Sequence, residues 1–555
     1  MTKSFKFLFV IASLVPAVIF FVVWAHFAVN IPFQDDIDAI LEPTTVYAKG
    51  VDSLSSFWNI LSTQDDERRI VMVRLVSCIV YSLFGQLDFR LIALAGLLSY
   101  LIFLYLIFKW FRGEKQISLL YFLPVPYLLF TQENYGAIYQ SMVPLQHIGV
   151  YVWAFASIWF LVRPTRLDLV LAIGFGVLSV YSDVTGTLIV YIGIFILLLQ
   201  KKYLHILVWV LILGPIVYFY FQDLTVPDFR PTFKQNIQEW DNILKIIVAM
   251  PGMMADIFTF LPVPQRLTIS FVTGIISLLL VAFAFFHIIH KQYFKKGAAT
   301  RNQIWLLGCV LFLFITFLAF AVGRSSFGVE STLLNRYKHM FTFWAIFNYL
   351  IILYFPWFST RARSLSCLML VSSVLFFLSS YFRVWGEIDF FRKTIQADAY
   401  GWSINREFPS APIYLSIKKS VDVILEDASN HNVYDFPELP SAKLINGSVY
   451  KEVRATLTSG EFINVSIEDF RPGMRLNDGM YLIMHSSQEV HIVPMKTNRR
   501  SFLTFLTTGD YLYGHTESSG FLRQYLTKNI QYQIKLGVIH GDSRYLIATR
   551  QKIQN

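Results

Sequence analysis

Residues 31–38 read IPFQDDID and lie between the first long apolar run of the chain and a long polar loop. If that run crosses a membrane, the carboxylates of Asp35, Asp36 and Asp38 lie within a few residues of the membrane surface. A charge in such a place is costly unless it has a partner or a function. The stretch is therefore a candidate active site. The alternative is that Asp35 begins a helix whose dipole the acids complement.

The composition of the whole chain predicts a polytopic α-helical membrane protein. Of its 555 residues, 55% are hydrophobic and only 15% are charged, and the mean hydropathy is +0.51, which excludes an ordinary water-soluble protein. The net charge of +10 comes from short basic clusters between apolar runs. Such clusters fix the orientation of membrane spans. We therefore expect membrane lipids as partners and no nucleic acid.

Apolar runs of about 17 to 25 residues are long enough to cross a bilayer, and they predict about eleven spans. The predicted spans are 5–29, 90–111, 116–131, 146–162, 168–182, 185–199, 203–221, 267–289, 303–323, 340–358 and 364–382. The apolar run 70–85 is excluded, because counting it would place most basic clusters on the outer side. We expect it to lie at the outer interface, with Arg74 reaching toward the headgroups.

The basic residues also predict the orientation and the compartment. Lys3 and Lys6 precede the first span and place the N-terminus in the cytoplasm. We expect the chain to be a multi-pass protein of a bacterial inner (cytoplasmic) membrane. The outer loops would then be 30–89, 132–145, 222–266 and 324–339.

Beyond residue 383 the chain turns polar and alternates with a period of two, which is typical of strands. We divide the chain into a transmembrane domain, 1–385, with its first outer loop at 30–89, and an outer-side (periplasmic) domain, 386–555. The second domain is predicted to be mixed α/β and strand-rich. Its predicted strands are APIYLSI (411–417), EFINVSI (461–467), MYLIMHS (480–486), EVHIVPM (489–495), YQIKLGVI (532–539) and RYLIATR (544–550).

Charged residues in two outer loops suit a reaction with a phosphate leaving group. The first loop carries TQDDERRI, in which Arg68 and Arg69 follow Glu67. Acids can take a proton while guanidinium groups neutralise phosphate oxygens; the alternative is a solvated run of internal ion pairs. The last outer loop is basic against the positive-inside pattern. We therefore assign its cations to an anion rather than to topology; they are Arg324, Arg336 and Lys338.

Polar residues elsewhere in the outer loops could line a sugar-binding cavity. The loop TQENYGAIYQ and the span that follows it supply acids, amides, aromatic rings and a histidine, although polar cavity lining would look the same. The short helix pair 168–182 and 185–199 places Asp183 at its tip. The residues we assign to the acceptor or the cavity are Glu67, Glu133, Asn134, Gln140, His147, Asp183 and Tyr337. No metal-ligand spacing is apparent, so the sequence indicates no particular cofactor and leaves a divalent cation open.

Several motifs together resemble the GT-C fold, a family of integral-membrane glycosyltransferases that use polyprenyl-phosphate-linked sugars. They are the acid pair after the first span, the interfacial helix DSLSSFWNIL (52–61), LFGQLDFR (83–90), and the QEN and GRSSFG…NRY stretches. The last two also look like those of bacterial envelope proteins of this type. The resemblance implies that Asp35 is the general base, with Asp36 beside it. The chain departs from the family pattern in its third acid, Asp38, and in DDERR, where related chains often carry a histidine.

The function we expect is transfer of a sugar from a polyprenyl-phosphate donor to an envelope glycan or lipid-linked acceptor, on the outer face of the membrane. The alternative is a non-catalytic transporter or assembly factor for lipid-linked glycans. A transporter would need a continuous polar path across the spans, and their middles are almost free of ionisable residues. On this interpretation Arg69, Arg324 and Arg336 should converge near Asp35.

Replacement of Asp35 by asparagine tests the acid pair. Asp35→Asn keeps the size of the side chain but removes the basic oxygen. We expect sugar transfer to fall by roughly 10² to 10⁴, about 3 to 5 kcal/mol of barrier. Asp38→Asn is the matched control and should be mild. The measurement is transfer in membranes supplied with polyprenyl-phosphate sugar, with expression level as the check on insertion. Equal losses at Asp35, Asp36 and Asp38 would contradict a specific base.

Overall fold

The computed structural model of the protein divides into two compact units. The first unit is 1–25, 51–79 and 91–382, and the second is 26–50, 80–90 and 383–555. The structure describes residues 3–114, 117–227, 230–294, 299–354, 362–408, 414–439, 444, 449–460, 462–467, 473–474, 478–508, 512–518 and 521–554. The stretch 31–38 belongs to the second unit, together with the C-terminal strands.

The described part of the chain is mostly helical up to residue 430, because its long apolar runs contain few glycines or prolines within them. The α-helices are Lys3–Phe27, Glu42–Ala48, Leu54–Ser62, Val71–Phe84, Phe89–Leu97, Ser99–Gly113, Pro124–Leu129, Tyr135–Ile138, Val150–Leu161, Arg166–Ser182, Ile189–Leu199, Tyr203–Phe221, Phe233–Gln238, Trp240–Ala249, Val263–Phe294, Arg301–Arg324, Lys338–Tyr354, Ala362–Asn405, Tyr414–Asn430 and Phe502–Thr508. Short π-helical and 3-10 turns join several of them.

Among the described residues, seven helical segments are long and apolar enough to cross a membrane. They are Lys6–Phe27, Phe89–Gly113, Pro144–Leu161, Tyr203–Phe221, Val263–Tyr293, Arg301–Phe327 and Arg363–Asn405. Each coincides with one of the predicted spans. The other four predicted spans, 116–131, 168–182, 185–199 and 340–358, fall on shorter helices, and residues 116 and 355–358 lie outside the described residues.

Buried aromatic rings form the centre of the first unit. The ring of Phe103 lies 4.7 Å from that of Phe343, and Phe155 lies 5.0 Å from Phe347, both in edge-to-face geometry. This arrangement is favourable because the positive edge of one ring meets the negative face of the other. These contacts join helices Ser99–Gly113, Val150–Leu161 and Lys338–Tyr354.

The interfacial segments of the first loop form helices at the predicted places. Leu54–Ser62 begins at Ser53, whose hydroxyl accepts the Ser56 N–H at 3.1 Å, as an N-cap should. Leu54 and Trp58 are exposed. The prediction that Arg74 reaches the headgroups is wrong: its side chain is buried and donates to the Thr63 carbonyl. Carbonyls at the end of a helix lack helical partners, and the guanidinium supplies one.

The second unit contains two β-sheets. Its strands are β1 Val449–Val453, β2 Ala455–Ser459, β3 Phe462–Ile467, β4 Gly473–Met474, β5 Gly479–His485, β6 Val490–Arg499, β7 Leu512–Ser518, β8 Phe521–Leu522, β9 Gln531–His540 and β10 Ser543–Gln554. One sheet has the order β1-β10-β9-β5-β6-β7-β4 and the other β2-β3-β8. Only β1 and β10 pair in parallel among the described strands. The strand-rich C-terminal fold is thus confirmed.

One predicted strand is wrong. Of the stretch 411–417, residues 411–413 lie outside the described residues, and Tyr414 begins a helix that ends at Asn430. The apolar residues that follow, Val421 and Leu425, are buried four residues apart. This spacing is helical, and it outweighs the short alternation at the start.

The stretch 31–38 starts inside the core of the second unit. Ile31 is buried in a cluster with Ile395, Tyr400, Tyr481 and Ile483. Its neighbour Asn30 accepts the Phe89 N–H at 2.8 Å through its side chain, and the Asn30 carbonyl accepts the hydroxyl of Tyr434 at 2.8 Å. The position of the acids is therefore set by the strand-rich unit.

A close backbone approach in the first unit gives a stability test. A Cβ atom at Gly274 would lie 1.9 Å from the Val248 carbonyl oxygen, so the backbones must separate. We expect Gly274→Ala to lower the free energy of unfolding by about 1 to 3 kcal/mol. Gly174→Ala is the matched control, because a Cβ atom at Gly174 would have no neighbouring atom within 4 Å. Thermal unfolding in detergent measures both, and equal midpoints would refute the close approach.

Candidate functional site

A tight turn presents the charged residues of the first loop. The backbones of Asp65 and Arg68 exchange hydrogen bonds of 2.8 and 2.9 Å, and Asp66 between them has φ +50°. The Arg68 side chain also lies 3.2 Å from the Asp65 carboxylate. The turn therefore fixes the backbone of Arg68 and pairs its side chain with Asp65.

Arg69 holds this turn against the end of helix Tyr203–Phe221. Its guanidinium donates to the carbonyl of Tyr220 at 2.9 Å, to that of Gln222 at 2.5 Å and to that of Ser62. The Arg69 N–H also donates to the Tyr220 hydroxyl at 3.1 Å. With three donors directed at main-chain oxygens, the geometry favours a structural role for Arg69 over phosphate binding.

Arg230 pairs with the acids of the same turn. Its guanidinium contacts Asp66 and lies 2.9 Å from the Glu67 carboxylate. Burial raises the pKa of Glu67 and the negative charge of Asp66 adds to this, while Arg230, Arg68 and Arg324 oppose it; the net direction is upward. Glu67 therefore lies among guanidinium groups and has a carboxylate that is easier to protonate than usual.

The segment 324–339 carries two arginines that lie on aromatic rings. The guanidinium carbon of Arg324 lies 5.5 Å from the ring centre of Phe327, and that of Arg336 lies 5.0 Å from the ring of Tyr337. The segment is anchored at Ser325, whose hydroxyl donates to the Asn236 carbonyl at 2.7 Å. The side chains of both arginines are half-buried.

Three arginines from two separate loops act on one histidine. Arg68, Arg336 and Arg324 each interact electrostatically with His147. The His147 ring lies 6.4 Å from that of Tyr337. Within the described ranges, neither Arg324 nor Arg336 has an acid within ion-pair distance, and the buried Nε of Arg336 has no hydrogen-bond partner. Guanidinium groups without a directly paired acid suit an anion with several oxygens.

Lys338, which the sequence groups with Arg324 and Arg336 as an anion ligand, is in a different environment from those two arginines. Its Nζ lies 3.3 Å from both the Glu133 and the Asp256 carboxylates. Asp256 in turn accepts two hydrogen bonds from Arg266, at 2.7 and 2.9 Å. The four side chains are at most 16% exposed, so the network is buried and its formal charges balance. Glu133 and Lys338 thus belong to a structural network.

Two of the remaining predicted cavity residues have hydrogen-bond partners within the protein. Asn134 is buried and donates to the Tyr100 hydroxyl at 2.8 Å. Asp183 caps the turn that follows it, accepting the Thr185 N–H at 3.1 Å, and also accepts a hydrogen bond from Gln146 at 2.9 Å. Gln140 is half-buried. These contacts explain Asn134 and Asp183 without a ligand.

The acid pair, Asp35 and Asp36, belongs to the second unit. The Asp36 side chain is buried and accepts the Phe33 N–H at 3.0 Å, directly before the helical turn Ile37–Leu41. Asp35 and Asp38 are exposed. The two neighbouring acids therefore differ sharply in environment, and Asp35 is the one with an accessible carboxylate.

The sequence analysis missed Arg230, Asp256 and Arg266. All three lie in the predicted outer loop 222–266, and the two arginines carry the same signal as Arg324, a positive charge in a loop predicted to be outside. Across the described residues, no group of three or more His, Cys, Asp or Glu side chains is arranged to hold a metal ion.

Comparisons of the chain with protein-family models, with curated proteins and with solved structures give no match.

Loss of the Asp256 carboxylate tests the buried network. Asp256→Asn leaves Lys338 and Arg266 without their shared partner, so we expect a loss of about 3 to 5 kcal/mol in the free energy of unfolding. The exposed pair of Asp241 with Lys245 supplies the control, and Asp241→Asn should leave stability nearly unchanged because an exposed ion pair contributes little. Chemical or thermal unfolding in detergent distinguishes the two.

The same network has a definite pH dependence. Burial alone would raise the pKa of Asp256, but the hydrogen bond from Arg266 and the charges of Lys338 and Arg266 lower it overall. Its contribution to stability is therefore complete above the ordinary carboxyl pKa and is lost as the pH falls through the lower folded value. Asp256→Asn should flatten this acid limb, and an unchanged limb would contradict the assignment.

Proposed function

We propose that the protein is a membrane glycosyltransferase of the GT-C type. It would transfer a sugar from a polyprenyl-phosphate donor to an envelope glycan or a lipid-linked acceptor on the outer face of a bacterial inner membrane. The proposal includes about eleven spans, a cytoplasmic N-terminus and an outer C-terminal domain. The seven long apolar helices support the membrane location, since a donor with a lipid tail must be met at a bilayer.

The observation that carries the proposal is the pair Arg324 and Arg336. Both are half-buried, both act on His147 together with Arg68, and neither has an acidic partner among the described side chains. A partly buried guanidinium group that lacks an ion-pair partner is unfavourable, and an incoming phosphate would supply that partner. Guanidinium groups bind phosphate oxygens in a bidentate manner.

The arrangement suits the charge that develops during transfer. The acceptor oxygen forms a bond to the anomeric carbon of the sugar, the bond from that carbon to the phosphate oxygen breaks, and the phosphate leaves with the bonding electron pair. Arg68, Arg324 and Arg336 would stabilise the added negative charge on the phosphate. The acceptor proton passes to a carboxylate. We propose Asp35 for this role from the family resemblance alone; it is the exposed member of the acid pair.

Binding of the lipid phosphate tests the proposal without knowledge of the sugar. Arg324→Gln and Arg336→Gln should each weaken binding of undecaprenyl phosphate by roughly tenfold to a hundredfold, because each removes a charge-assisted hydrogen bond of about 1.5 to 3 kcal/mol. Arg90→Gln is the control, since Arg90 is half-exposed and paired with Asp88. Titration of the purified protein by native mass spectrometry measures all three.

The affinities of the variants for undecaprenyl phosphate decide whether Arg324 and Arg336 form a phosphate site. Unchanged affinity in both Arg324→Gln and Arg336→Gln would remove the phosphate site, and equal weakening in Arg90→Gln would show only a non-specific charge effect. Retention of binding by Asp35→Asn, with loss of transfer, would separate the phosphate site from the base.

A further inference from the structure

The connection between β6 and β7 carries an exposed apolar helix. Both strands lie in the larger sheet, where Met495 pairs with Ser518, and helix Phe502–Thr508 lies between them along the chain. Ser501 caps this helix by accepting the Thr504 N–H at 3.1 Å. The helix is therefore a defined element of the second unit.

Three large apolar side chains of this helix are turned outward. Phe502 is 58% exposed, Leu503 is 73% exposed and Leu506 is 63% exposed. Phe502 and Leu506 are four residues apart and Leu503 and Leu506 three, so all three share one side of the helix. A cluster of this kind on a folded domain indicates a surface that is covered in the working protein.

The polar groups of the helix are already satisfied within it. The hydroxyl of Thr507 donates to the Leu503 carbonyl at 3.2 Å, and that of Thr508 donates to the Thr504 carbonyl at 2.8 Å. The Thr504 hydroxyl lies 2.7 Å from that of Ser501. A helix whose hydroxyls have internal partners can leave water at little cost, which suits a lipid environment.

The charge of the surrounding sequence also favours lipid. The two residues directly before Ser501 are the arginines Arg499 and Arg500, whereas Lys496, further back, lies 3.2 Å from the Glu387 carboxylate. Arg499 is exposed. Basic residues directly beside an apolar helix face are typical of segments that lie in the headgroup region of an anionic bilayer.

We propose that helix Phe502–Thr508 docks into the surface of a bilayer that contains anionic lipid. Phe502, Leu503 and Leu506 enter the boundary between headgroups and acyl chains, and the two arginines directly before the helix, Arg499 and Arg500, contact lipid phosphates. The inference rests on the membrane location proposed above, but it is independent of glycosyl transfer.

Fluorescence quenching by lipid in the full-length protein tests this inference. The exposed Cys367 is replaced by serine and the buried Cys78 and Cys309 are kept. A cysteine is then introduced by Leu503→Cys and labelled with an environment-sensitive dye. The protein is placed in nanodiscs of phosphatidylcholine and phosphatidylglycerol, with or without a nitroxide on the upper acyl chain. We expect the nitroxide to remove about half of the emission at position 503, as for a helix buried at the interface. Omission of phosphatidylglycerol should reduce this loss.

Two matched positions separate the possible outcomes. Val423 is 65% exposed on helix Tyr414–Asn430 of the same unit and should not be quenched, whereas Ile276 is 62% exposed on a candidate span and should be. Absence of quenching at Ile276 would overturn the membrane location itself. Quenching at Ile276 but not at Leu503, or equal quenching at Leu503 and Val423, would overturn the docking of the helix alone. Quenching at Leu503 that is independent of phosphatidylglycerol would overturn the role of anionic lipid.

Discussion

The ion-pair network around the buried carboxylate of Asp256 is the contact on which the loops of the first unit depend. The carboxylate binds Arg266 and Lys338, and Lys338 also binds Glu133. These residues come from three distant parts of the chain, and no charge in the network is tolerable without the others. The segments must therefore assemble together, and Arg336, two residues before Lys338, receives its position from that assembly.

Much of the fold could be predicted because it depends on local pattern. Long apolar runs identify the long helices, and period-two stretches identify β3, β5, β6, β9 and β10. The same reasoning fails at residues 414–417, where a short alternation is compatible with a helix. Local pattern also could not predict that Ile31 packs with Ile483, because a contact between residues so distant along the chain does not depend on the sequence around either one. The number of spans beyond seven stays a prediction.

The candidate site shows a similar division. Arg324 and Arg336 could be predicted as anion ligands because they are positive in a predicted outer loop, and among the described residues neither has an acid within ion-pair distance. Lys338 carries the same signal, yet Glu133 and Asp256 neutralise it. Arg68 and Arg69 are adjacent, and only the turn at Asp66 decides that one approaches His147 while the other binds carbonyls. The sequence shows which residues are charged and which loop they are in, but it does not show which partner neutralises each charge.

The carbonyl contacts of Arg69 have a consequence for the motions of this region. They join residues that are 151 positions apart along the chain, and so they act on the loop as a reversible cross-link. The turn around Asp66 cannot swing outward while the last turn of helix Tyr203–Phe221 keeps its own place. Amide protons in the two segments should therefore exchange with solvent through one shared opening event, as members of a single cooperative unit.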